Sequence, residues 1–190
     1  RCLPTSAYAS YSGCRQYREN LDGAPVELSL VGPYAESDGF VAANADALVA
    51  ALRSQPAPRQ TRVLFVTHSI PVAMDAASGP GGPEGRYVAQ HRRVAARVAE
   101  RAASALGFVP EWELVYCSRS GAPGVPWLEP DVNDRLRALA AEGASGVVVA
   151  PIGFIHDHLE VVYDLDTEAA ATASEVGLRL ARAATAGVHP

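Results

Sequence analysis

The chain has 190 residues, 48% of them hydrophobic, with a formal charge of -5. That is a globular composition with room for one domain and a sizeable core, not a disordered one. All 16 basic residues are Arg and none clusters with aromatics, which excludes nucleic acid as an expected partner.

In chain order, residues 1–11 read as the end of a strand and a Ser/Tyr-rich turn, and Ser12 caps a short helix over 14–21. A short strand is expected at 26–31. Ser37 precedes an Ala-rich helix over 39–53 with apolar residues at i, i+3 and i+4. The run Val63-Leu64-Phe65-Val66 marks 62–67 as a buried parallel strand, and His68 follows at once. Residues 75–86, rich in Gly and Pro, read as loop. A long helix over 87–106 stops at Gly107, and 113–117 is the next strand. Residues 118–130 form a Pro/Gly-rich loop carrying Trp127. A helix over 132–141 ends before Gly143, and 147–150 is a fully apolar strand. After a turn at 151–154, a helical stretch runs over 156–173, with a short element at 175–180 and no closing element beyond it.

Helices alternating with β-branched runs specify an α/β, three-layer architecture, a parallel sheet flanked by helices on both faces. Ligands of such folds sit past the C-terminal ends of strands. His68, residues 118–121 and residues 153–160 follow three different strands, so they converge on one edge. There is no P-loop and no GxGxxG after a strand, so no nucleotide is implied. No apolar run approaches the ~18 residues of a membrane span. The chain starts at Arg1 with no signal-peptide pattern, and Met74 is its only Met. Cys2, Cys14 and Cys117 are unevenly spaced and odd in number, so a disulfide framework is not expected. A cytoplasmic monomer is the expectation.

Glu160, Asp164 and Glu168 are spaced i, i+4, i+8, which on an α-helix lines up three carboxylates. Asp157 and Asp166 lie in the same stretch, which contains no Arg to relieve the charge. Hard oxygen ligands in line suit a divalent cation, and a carboxylate beside an imidazole suits Fe(II); a solvated acidic face is the alternative. His156 and His158 flank Asp157, but their spacing is not HExxH, and His158 fits better as the support of the turn that aims Glu160. Cys14 and Cys117 read as small buried hydrophobes. Trp127 either packs its loop on the core or meets a flat ligand, and Arg119 either orients a carboxylate or pins the loop.

Four segments resemble one family. Thr67-His68-Ser69-Ile70-Pro71 resembles the ferrochelatase S/T-A-H-S-x-P motif. Ser118-Arg119-Ser120-Gly121 with Pro126-Trp127-Leu128-Glu129-Pro130 resembles its Q-S-R/K-x-G and P-W-L-x-P signature. Residues 151–160, Pro-Ile-Gly-Phe-Ile-His-Asp-His-Leu-Glu, resemble P-x-x-F-x-S-D-H-x-E. Residues 6–17, Ser-Ala-Tyr-Ala-Ser-Tyr-Ser-Gly-Cys-Arg-Gln-Tyr, look like the actinobacterial branch.

The resemblance implies a heme-biosynthesis lyase with a chelatase-like lobe. It implies ferrous iron as substrate, a porphyrin held between two lobes, and coproporphyrin III converted to coproheme; protoporphyrin IX is the alternative substrate. It implies His68 as catalytic and metal-binding, with Glu160 facing it across the macrocycle, and Asp164 and Glu168 continuing the acidic line as metal ligands. Arg119 and Trp127 are candidate substrate contacts. Cys14 matches one ligand of a [2Fe-2S] cluster that this branch often carries, but one cysteine cannot hold the cluster.

The implied organisation is 1–25 as the end of an N-terminal lobe or interlobe segment. Residues 26–190 would be the C-terminal lobe, incomplete at both ends. His156 stands where the family usually has a small residue, and Cys117 where many members have Gln. Residues 79–87 replace the G-D-P-Y region with a loop expected to be mobile. The competing expectations are a porphyrin- or metal-binding fragment without turnover, a chelatase acting on cobalt and a corrin precursor, and a purely structural domain.

Overall fold

In the computed structural model, residues 2–4, 29–31, 33–81, 84–122, 124–187 and 189 are described. The helix expected over 14–21 and Cys14 lie outside these residues. Two short parallel strands, β1 (Cys2–Pro4) and β2 (Ser29–Val31), pair with each other. Helix α1 (Asp38–Arg53) starts as expected: the Ser37 hydroxyl accepts from the Phe40 N–H at 3.3 Å. Strand β3 (Arg62–His68) follows, then a helical turn α2 (Val72–Ala76) and a small hairpin of β4 (Pro80–Gly81) and β5 (Glu84–Gly85). Helix α3 (Arg86–Leu106) ends on Gly107, whose φ of 74° is the left-handed stop that glycine supplies cheaply. Strand β6 (Trp112–Cys117), helix α4 (Val132–Ala141) and strand β7 (Gly146–Ala150) come next.

The last helix, α5, has three parts: Leu159–Val161 in α winding, Val162–Ala169 in π winding, and Ala170–Glu175 in α winding again. It starts three residues later than expected, because His158 takes the capping position, its Nδ1 accepting from the Val161 N–H at 3.4 Å. The short element after it is a strand, β8 (Arg179–Arg182), parallel to β7. Its mixed composition hid it, since an edge strand buries little and carries a weak pattern.

The main sheet runs β6-β3-β7-β8, all parallel. The α/β layered architecture expected from the sequence is the one found. Side chains alternate across β3. Val63 and Phe65 join the cluster under α1 and α3, while Leu64 and Val66 join the cluster under α4 and α5. Both faces are covered, which explains why β3 and β7 read as unbroken apolar runs. Among the described residues, no helix is long and apolar enough to cross a membrane.

The described residues that close the loop over 79–87 are anchored. The Asp75 carboxylate, itself buried, accepts from the Gly85 N–H at 2.9 Å and the Val88 N–H at 3.1 Å. The Ser78 hydroxyl accepts from the Tyr87 N–H at 2.8 Å. These groups satisfy the orphan donors at the start of α3, a job that the Gly/Pro content of the loop does not reveal.

His91 on α3 is buried, and burial pushes its imidazole down to about 4. An unfolded chain takes up this proton near 6.5, while the folded chain does so only near 4. The stability that His91 contributes is therefore full above pH 6.5 and is lost as pH falls from 6.5 towards 4. Urea unfolding at pH 5 is expected to give a free energy about 2 kcal/mol below that at pH 7. Equal values at the two pH settings would contradict this account of His91.

Candidate active site

Parity along β3 decides what faces α5. His68 has the same parity as Leu64 and Val66, so it leaves the strand on the α5 side, where Val161 and Leu165 pack. His68 is the last residue of β3, not the residue after it. Its Nδ1 lies 2.5 Å from the Ser69 carbonyl oxygen. A carbonyl only accepts, so the ring proton sits on Nδ1 and Nε2 carries the free lone pair. That Nε2 lies 3.6 Å from Glu160 Oε1; the two side chains are 28% and 50% exposed. The distance is beyond a hydrogen bond but within reach of a shared cation.

This spacing corrects one expectation. A flat macrocycle needs about 3.5 Å of van der Waals clearance on each face, so roughly 7 Å between groups that sandwich it. At 3.6 Å, His68 and Glu160 leave no room for such a ring between them.

The acidic line holds, with a different cause. A four-residue repeat drifts by about 40° per step on an α-helix. A π-wound stretch, bonded i to i+5, turns less per residue and drifts the other way. The mixed winding of α5 thus keeps Val161, Leu165, Ala169 and Ala173 on the buried stripe, and Glu160, Asp164 and Glu168 on the stripe beside it.

The loss of helix regularity was not legible in the sequence, and neither was the contact of Ser118, in the segment 118–121 expected at this edge, with Asp164. Ser118, at the end of β6, has φ 60°, the left-handed region that a non-glycine residue adopts at some cost. Its hydroxyl donates to Asp164 Oδ2.

The acids divide into two sets. Arg182 on β8 donates to Asp157 Oδ2 at 2.8 Å and to Asp166 Oδ1 at 2.6 Å. The unrelieved charge expected over this stretch is therefore wrong for two of its five acids: the cation arrives from a strand remote in sequence. Among the described residues, no Arg pairs with Glu160, Asp164 or Glu168. Nor do three or more His, Cys, Asp or Glu side chains form a closed metal-holding group among them. His156 and His158 have ring centroids 6.3 Å apart.

The two remaining candidates serve the loops. Trp127 forms an antiparallel bridge with Pro71; the Val72 N–H donates to the Pro126 carbonyl and the Leu128 N–H to the Ile70 carbonyl, both at 3.0 Å. The segment after His68 is strapped to the Pro-Trp-Leu segment this way. Gly121 lies flat on the indole: a Cβ there would meet Trp127 Cζ2 at 2.4 Å. Arg119 reaches Glu129 at 3.9 Å with both side chains exposed, a loose tie across the loop. Cys117 is buried and burial raises its thiol pKa far above the usual range. A [2Fe-2S] cluster needs four thiolates, and a chain with three cysteines, one of them locked in the sheet, does not fit one.

A family model described as ferrochelatase matches residues 1–190. The coproporphyrin III ferrochelatase of Streptomyces griseus subsp. griseus is 48% identical over 203 residues, covering 99% of this chain and 54% of that protein. That of Frankia alni is 48% identical over 200 residues, covering 100% of this chain and 51% of that protein. That of Propionibacterium freudenreichii subsp. freudenreichii is 48% identical over 198 residues, with 99% and 54% covered. The chain spans about half the length of the curated relatives it matches.

Proposed function

This chain belongs to the ferrochelatase family, and on that premise we propose that the full protein inserts ferrous iron into coproporphyrin III to give coproheme. The observation that carries the reading is the approach of His68 Nε2 to Glu160 Oε1 at 3.6 Å, at the C-terminal edge of the sheet. The choice of porphyrin rests on the relatives, which are coproporphyrin III ferrochelatases.

A free-base porphyrin must release two pyrrole protons as it takes up one Fe²⁺. Imidazole exchanges protons readily near neutral pH, and the Nδ1–Ser69 bond leaves His68 Nε2 as the acceptor. The imidazolium formed on proton uptake faces Glu160, which stabilises it and takes the proton on. The line Glu160, Asp164, Glu168 then serves as a track for cations between the porphyrin and solvent, with Ser118 holding Asp164 in place. Arg182 pairs with Asp157 and Asp166 and cancels one of their two charges, whereas no Arg among the described residues pairs with the three acids of the track. The 3.6 Å gap also suits one divalent ion shared by both atoms at about 2.1 Å each.

Leu159, 86% exposed beside Glu160, and the exposed Val72, Met74 and Val125 give the neighbouring surface an apolar character that supports contact with a flat ring. In this reading residues 26–190 form the C-terminal lobe, and residues 1–25, with β1, belong to the end of an N-terminal lobe or to an interlobe segment; β1 pairs with β2 outside the main sheet. The cysteine usage supports a cytoplasmic setting.

The test is turnover by the full chain with Fe²⁺ and each porphyrin in turn. Faster insertion into coproporphyrin III than into protoporphyrin IX is expected. The reverse order would overturn the substrate, and no insertion into either would overturn the activity.

A further inference from the structure

The face of β3 turned away from Glu160 carries a buried polar group that the iron chemistry does not use. Thr67, one residue before His68, points towards α3. Its Oγ1 lies 2.9 Å from the Tyr87 hydroxyl and 3.0 Å from His91 Nε2. His91 Nδ1 lies 2.8 Å from the Tyr87 carbonyl, so its proton sits there and Nε2 accepts from the Thr67 hydroxyl. The Tyr87 hydroxyl donates to the His68 carbonyl at 2.8 Å and shares the same proton with Thr67 Oγ1 at 2.9 Å, a three-centre bond. All three side chains are buried. Polar groups at that depth cost stability unless paired, and apolar residues would fill the same space without that demand.

What the group holds explains it. The pairing of β3 with β7 stops at Phe65 and Ala150. Beyond that point the carbonyls of residues 66 and 68 fall on the same open edge. The Gly153 N–H takes the first at 3.1 Å, and the Tyr87 hydroxyl takes the second. Tyr87 is itself fixed by Ser78, on the loop that leaves His68. A closed circuit of bonds therefore runs from His68 through its loop to α3 and back to the His68 carbonyl.

We propose that Thr67, Tyr87 and His91 are positioning residues: by clamping the His68 carbonyl from α3 they set the direction in which the imidazole leaves the strand towards Glu160. This rests on the reading that His68 and Glu160 insert iron. Tyr87→Phe removes one hydroxyl and keeps the ring. In the full chain it is expected to lower kcat for iron insertion about tenfold, since small misplacements of a reacting group are costly, and to leave KM for the porphyrin unchanged. The imidazole ¹⁵N resonances of His68, identified by their loss in His68→Asn, are expected to shift. Thr67→Val is expected to behave like Tyr87→Phe, and Thr67→Ser, which keeps the hydroxyl, to retain kcat.

Val98→Ala, in the same helix and core but away from His68, measures how far lost stability alone lowers kcat. The inference is overturned if Tyr87→Phe loses no more kcat than Val98→Ala at equal stability and the His68 resonances stay in place. If the parent chain inserts no iron, the proposed function fails, and the resonances alone decide the positioning.

Discussion

Glu160→Gln is expected to lower iron insertion by about 100-fold or more, the scale for removing a positioned acid–base group, with the fold intact. The substitution keeps the size and the hydrogen-bonding reach of the side chain and removes only its charge and its capacity to take a proton. Glu160 is half exposed, and its side chain meets His68 at 3.6 Å. Nothing in the core depends on it, so the unfolding free energy is expected to move by no more than about 0.5 kcal/mol. Insertion rates and urea unfolding of the full chain, measured side by side, separate the two effects. Near-normal turnover by the variant would sink the role given to Glu160. A large loss of stability would show that the residue is structural.

Gly153→Ala acts by a different route and is expected to destabilise the protein by about 3 kcal/mol, the upper range for overpacking a core site. A Cβ at this position would stand 2.2 Å from Thr67 Oγ1, 2.6 Å from its Cβ and 2.8 Å from its Cα. The last two atoms belong to the frame of β3 and cannot turn aside as a long side chain can. The Gly153 N–H is also bonded to the Val66 carbonyl at 3.1 Å, so the two segments cannot separate without losing that bond. Relief of the clash must push β3 away from the segment leading to Glu160, so iron insertion is expected to fall with stability. Urea unfolding checks the first effect; a loss below about 0.5 kcal/mol would mean that the contact is softer than the geometry implies.

These two residues were legible to different degrees. Glu160 could be picked out from its spacing with Asp164 and Glu168 and from the motif around it, because a row of carboxylates on one helix is a local pattern. The close approach of Gly153 to Thr67 could not, because 86 positions separate partners whose contact exists only once β3 and β7 pair. His91 and Tyr87 read as ordinary positions in a long helix. Their burial and their bonds to Thr67 and His68 arise from packing α3 on the sheet.

The sequence by itself determined the order of the main elements, the caps at Ser37 and Gly107, the buried strands and the residues of the candidate site. Each of these is a short-range signal: a periodicity, a capping residue or a motif read along a few neighbours. The tertiary structure alone decided that His68 and Glu160 stand 3.6 Å apart. It also decided that Arg182 claims two of the five acids, that α5 winds as a π-helix between its ends, and that the loop after His68 is anchored by Asp75 and Ser78. Distance, charge pairing and hydrogen-bond closure between remote segments depend on how the sheet and its two helical layers settle against one another, and no local pattern encodes them.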